Sequence, residues 1–141
     1  MKKNLVVTIL LCVLLCGCGM KLGEEVTTEV NKVDVVIEVD ATSVTKTGCI
    51  YTMTNNTEGD FAYDGSYGIH MEKDGKWYRV DPKSASATTA DLLWLPSGVS
   101  EEAALDWSAS YGELKKGHYR LVKNFADFTD GYDIVGEFAI E

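Results

Sequence analysis

From Val33 onward the dominant spacing of the apolar residues is every second position, and no segment sustains a helical spacing over ten residues. Val33, Val35, Ile37 and Val39 alternate with Asp34, Glu38 and Asp40. Successive side chains of an extended chain point to opposite faces, so this pattern reads as a strand buried on one side only. Cys49-Ile50-Tyr51-Thr52-Met53-Thr54 is rich in strand formers and closes at Asn55-Asn56. A chain built this way has to cover one face of a sheet with another sheet.

The turns support the same reading. Tyr67, Ile69 and Met71 form a row that ends at Lys73, and Asp74-Gly75 joins it to Lys76-Trp77-Tyr78-Arg79-Val80. A two-residue Asp-Gly link between alternating segments predicts a hairpin, because both turn positions need positive φ. Pro82 and the stretch SASATT make a loop, and Asp91-Leu92-Leu93-Trp94-Leu95 is a dense apolar run stopped by Pro96-Ser97-Gly98. Ala103, Leu105 and Trp107 alternate with polar or small residues, and Tyr119 and Leu121 follow Gly117. The chain finishes with Tyr132, Ile134, Gly136, Phe138 and Ile140 on one face. Seven or eight short antiparallel strands in one domain predict an all-β fold, a β-sandwich with almost no helix.

The first seventeen residues follow another logic. Met1-Lys2-Lys3 is a positive start, and an apolar run from Leu5 to Leu15 follows it. That run is too short for a bilayer, which takes about 20 residues to cross. A positive end, a short apolar core and a small residue before a cut form the pattern of an export signal. Two of the four cysteines, Cys12 and Cys16, fall here, and Cys18 follows directly. A zinc site would need ligands in a folded polar setting, and neither His70 nor His118 is close in sequence. Leu15-Cys16-Gly17-Cys18 resembles a bacterial lipobox, although Cys16 stands where a small residue is usual. That resemblance implies a signal peptide over residues 1–17 and a diacylglycerol thioether on Cys18, with fatty acyl chains such as palmitate holding the new N-terminus in the membrane. Cys49 is then the one thiol of the domain, and no internal disulfide is expected.

Removing residues 1–17 takes away two of the 13 basic residues and none of the 22 acidic ones, leaving 124 residues with a net charge of −11. This length suits one domain. Such a charge repels nucleic acid and anionic head groups, so neither is an expected partner. Membrane attachment is expected to come from the lipid alone, two acyl chains giving the double signal that one lacks. Residues 18–32 read as a lipidated N-terminus and short tether, and residues 33–141 as the domain.

Leu114-Lys115-Lys116-Gly117-His118-Tyr119 resembles the tyrosine corner of immunoglobulin-like sandwiches, in which a tyrosine near the start of strand F bonds back to upstream backbone. With Tyr111-Gly112, the Asp74-Gly75 hairpin and Asn55-Asn56, the chain from about residue 33 to 141 is similar to the bacterial Ig-like domains of Gram-positive surface lipoproteins. That resemblance implies a seven-stranded sandwich on the extracytoplasmic face of the cell membrane. It implies no catalysis, because fold alone does not deliver chemistry.

The residues themselves offer little for a reaction. Asp64-Gly65-Ser66-Tyr67-Gly68 comes near the nucleophile elbow G-x-S-x-G, but Asp64 replaces the first glycine and no helix is expected after Ser66. His70 and His118 fall on the polar phase of their strands and read as solvated. Asp127, Asp130 and Asp133 in one short segment invite a hard cation, yet the spacing lacks the EF-hand pattern and its closing glutamate. Trp77, Trp107 and Tyr119 read as core or corner residues; Tyr63, Tyr78 and Trp94 are open to either core or surface. No catalytic residue, cofactor or metal is assigned. The expectation is a lipid-anchored Ig-like module contacting an envelope protein. The alternative is a small-ligand or glycan binder using exposed aromatics, since aromatic faces can stack on sugar rings.

Overall fold

The computed structural model describes residues 20–85 and 91–141; the predicted signal segment and Cys18 lie outside them. Ten strands are described, in chain order β1 (Lys21–Glu25), β2 (Val35–Val39), β3 (Gly48–Asn55), β4 (Phe61–Tyr63) and β5 (Gly68–Lys73), then β6 (Lys76–Asp81), β7 (Leu93–Leu95), β8 (Ser100–Asp106), β9 (Gly117–Ala126) and β10 (Gly131–Ile140). A seven-stranded sheet runs β1-β6-β5-β9-β4-β7, with β10 on the other side of β9. The second sheet is β2-β3-β8. All pairings are antiparallel, and among the described residues helix is confined to a 3-10 turn at Ala41–Ser43 and a single turn α1 (Ser108–Tyr111).

Eight of the strands answer to the alternating segments. In β3 Cys49, Tyr51, Met53 and Asn55 are buried and the residues between them are not. The inner faces of the two sheets meet over Val35, Ile37, Met53, Ile69, Leu95, Trp107, Tyr119, Leu121, Phe125 and Ile134. Asp74 and Gly75 have φ of 53° and 77°, so the hairpin between β5 and β6 forms as its turn chemistry requires.

The two further strands were hidden for physical reasons. Phe61, Ala62 and Tyr63 of β4 are all buried, so no alternation marks them. Lys21–Glu25, within the expected tether, instead pairs along β6, Lys21 opposite Asp81 and Leu22 opposite Val80. An edge strand held by backbone pairing needs little apolar pattern, and β1 carries only a partly buried Leu22.

β9 organises the larger sheet. Its residues 119–122 pair with β5, Ala126 pairs with Ala62 of β4, and its other edge carries β10 throughout. Where the partner changes from β5 to β4, Lys123 sits on the inward phase and is almost fully buried. Its Nζ donates to the carbonyls of Asp64 and Ser66, each at 2.9 Å, and lies 5.6 Å from the centre of the Tyr63 ring. The ammonium thus satisfies backbone that the strand switch leaves unpaired. Burial holds its pKa below the usual lysine range, with Asp64 acting the other way.

Asn55 closes β3 from inside the sandwich, with no exposed surface. Its Nδ2 donates to Gly59 O at 2.8 Å and Leu95 O at 2.9 Å, and its Oδ1 accepts from Thr57 N and Oγ1 at 2.9 and 2.7 Å. Both amide donors and both acceptor positions are filled, which is what a buried amide demands.

Candidate functional site

The residues with conceivable chemistry are occupied locally. Ser66 Oγ donates to the carboxylate of Asp64, and Ser66 N donates to the same oxygen at 2.8 Å, an Asx turn in a loop between two strands. Asp127 Oδ1 accepts from Thr129 N at 2.7 Å, Thr129 Oγ1 at 2.8 Å and Asp130 N at 2.7 Å, bonds that hold its carboxyl below the usual range. Asp133 turns instead to Asn124 Nδ2, at 3.2 Å. Among the described residues no group of three or more acidic, histidine or cysteine side chains is placed to hold a metal ion.

The histidines divide. His118 is exposed and pairs with Glu72, Nδ1 to Oε2 at 2.6 Å. His70 corrects the sequence reading. It lies on the outward phase of β5 as expected but is buried, 8% exposed, because Arg120 on β9 covers it and donates from Nε to its Nδ1 at 3.0 Å. Burial, reinforced by Arg120 and Arg79, pushes its pKa down to about 4. Trp77 also departs from expectation. It alternates with Tyr78 and Val80, so it lies on the outer face, half-buried, with the Arg120 guanidinium 4.5 Å from its ring centre. Trp107 and Tyr119 are core, as read.

The unpartnered surface lies at the other end of the same sheet. β7 is the terminal strand of its sheet and pairs only with β4 among the described residues. Leu92, just before β7, and Leu93 and Trp94 within it are exposed, Leu93 on the phase of buried Leu95 and Trp94 on the opposite one, and Phe128, in the β9–β10 turn, is 91% exposed. The Trp94 and Phe128 rings stand 6.1 Å apart with planes inclined at 37°. Beside Phe128 a hollow of about 300 Å³ is lined by Val33, Thr57, Gly59, Asp60, Phe61 and Asp127. Large apolar side chains gathered on an otherwise charged surface mark a place where something else binds. The sequence left Trp94 open, and its neighbour Phe128 gave no signal, because a single apolar residue in an acidic turn shows no period.

Two antiparallel sheets packed face to face and a tyrosine corner define an immunoglobulin-like sandwich. The family model described as bacterial Ig-like domain matches residues 31–139, and the chain belongs to that family. Among curated proteins none matches the chain.

Proposed function

We propose that this protein is a non-catalytic Ig-like module, lipid-anchored through Cys18 on the extracytoplasmic face of the cell membrane, that makes protein contacts in the envelope. The observation carrying the contact reading is the exposed Trp94–Phe128 ring pair beside β7, the terminal strand of its sheet among the described residues. Membership of the bacterial Ig-like family supports a contact role, and Leu15-Gly17-Cys18 after a short apolar core supports the anchor. An open strand edge offers backbone groups to an extended segment, while the apolar side chains give that segment something to bury.

A glycan-binding reading draws on the same two aromatic rings. Their 37° inclination gives no common flat platform, so one sugar ring could stack on only one of them. A protein segment, whose side chains enter from several directions, fits this surface better. Crosslinking in intact cells tests the reading. Wild type should capture one discrete protein, and Trp94→Ser combined with Phe128→Ser should lose it while remaining folded. Equal capture by the double variant would reject this surface.

A further inference from the structure

Most of the expected tether between Cys18 and the domain is taken up by a strand. Met20 is the second residue after Cys18, and β1 begins at Lys21. Because Lys21 lies opposite Asp81, the chain toward Cys18 leaves the sheet beside Pro82 and Lys83. Met20 is partly buried against the core, its Sδ 3.5 Å from the Tyr119 hydroxyl that also donates to Lys115 O. Two residues span roughly 7 Å at full extension, so an acyl group on Cys18 is confined to this part of the surface. Released from β6, the chain from Cys18 to Asn31, which bonds to β10 at Asp133 and Val135, could reach about 45 Å.

The surface around that exit differs in charge from the rest of the domain. Lys83 N donates to Ser110 O at 2.6 Å, and the Lys83 side chain lies over Gly112. Leu114 N donates to Lys46 O at 2.9 Å, which brings a second lysine to the same connection, and Lys115 and Lys116 follow. Lys46, Lys83, Lys115 and Lys116 are exposed and take part in no ion pair among the described residues. With Lys21 they make five lysines, set against Asp81, Asp106, Glu113 and Glu141, so the region is close to balanced. Of the 11 basic and 22 acidic residues from Cys18 on, that leaves 6 and 18 for everything else, a strongly negative remainder.

We propose that β1 is a strap that seats the domain on the membrane, with Lys21, Lys83 and the connection from Gly112 to Lys116 turned to phosphate-bearing head groups. This rests on the Cys18 anchor proposed above. The acyl chains supply the affinity, and the strap fixes which part of the surface they draw down. The charge distribution favours that same part. Although the chain as a whole is acidic, exposed charges act over about a Debye length, ~10 Å at 0.1 M salt, so the local balance governs the contact. β1 sits at the sheet edge and precedes residue 31, where the family match begins, so loosening it leaves the sandwich intact.

The test uses the protein purified from membranes and reconstituted in vesicles of phosphatidylglycerol and phosphatidylcholine whose head groups carry an energy-transfer acceptor. A fluorescent amino acid is placed at Glu113 and, in a separate variant, at Asp130; both positions are exposed, and β9, roughly 30 Å long, lies between them. Quenching should be several-fold greater at Glu113 than at Asp130. Leu22→Asp with Gly23→Pro should release β1 and equalise the two positions, with the near-ultraviolet circular dichroism of the sandwich unchanged. Lys83→Glu with Lys115→Glu and Lys116→Glu should lower quenching at Glu113 on these vesicles, but not on phosphatidylcholine alone. Equal quenching at both positions of the otherwise wild-type protein, or stronger quenching at Asp130, overturns the seating. An undiminished difference in the β1 variant overturns the strap, and no effect of the lysine reversals on anionic vesicles overturns the head-group contact. The mass of the N-terminal peptide separates these outcomes from the anchor itself. A peptide without acyl groups rejects anchor and seating together, whereas an acylated protein with equal quenching rejects the seating alone.

Discussion

The Tyr119 hydroxyl donates to the backbone carbonyl of Lys115 at 2.5 Å, closing the connection that leads from α1 into β9. The ring is fully buried and stacks on Phe138 with centroids 5.5 Å apart, and Phe138 stacks in turn on Trp107 at 5.5 Å. Trp107 Nε1 donates to Lys46 O at 2.8 Å, tying the same stack to the β2–β3 connection. Tyr119→Phe should therefore cost about 1 kcal/mol, one net hydrogen bond. Tyr119→Ala should cost about 3–5 kcal/mol, because it also empties an aromatic-sized site. Denaturant melts should rank wild type, then Phe, then a far weaker Ala variant; an Ala variant as stable as wild type would remove the corner from the account.

His70 predicts a pH dependence whose sign follows from its depressed pKa. The folded value is about 4 against an ordinary 6.5, so the unfolded chain takes up the proton first as pH falls. Stability attributable to this residue is complete above about pH 6.5 and is lost between there and about 4. Burial sets most of this; Arg120 on β9 and Arg79 on β6 further oppose protonation, and Asp133 on β10 favours it weakly. The loss should be on the order of 2 kcal/mol, allowing for screening at the sheet surface. Melts at pH 7 and pH 4.5 should show a smaller difference for His70→Asn than for wild type; an identical difference would assign the slope elsewhere.

Cys49 is free and buried, and burial raises its thiol to about 11. Both access and thiolate fraction are low at neutral pH, so an alkylating reagent should react slowly with the native domain and quickly in denaturant. Fast native labelling at pH 7.5, counted by mass spectrometry, would contradict its place in β3.

Most of the strand pattern was legible because one face of each strand is wet. The period of two in β2, β3 and β10 is the direct trace of that asymmetry. That period is absent from β4, which is buried on both faces, and from β1, which is held mainly by backbone pairing. His70 and Trp77 differ from their pattern for another reason. Phase tells which face a side chain leaves from, but not that Arg120 will fold over that face and bury its neighbour. The apolar surface at β7 depends on Phe128 arriving from a turn 34 residues beyond Trp94 in the numbering, and only the folded chain brings the two rings together.

The proposed anchor has a direct genetic check. Cys18→Ala should release the protein from the membrane fraction or leave its signal uncleaved. A normally cleaved variant that stays in the membrane would show that the acyl chains on Cys18 do not hold it.

The contact surface itself is best tested by placing a photoreactive residue at Phe128 and, in a separate variant, at Glu102, which is exposed on β8 of the opposite sheet. On illumination of intact cells, Phe128 should yield one discrete crosslinked protein and Glu102 should not. Equal crosslinking from both positions, or a product from Glu102 alone, would contradict a contact at the β7 edge.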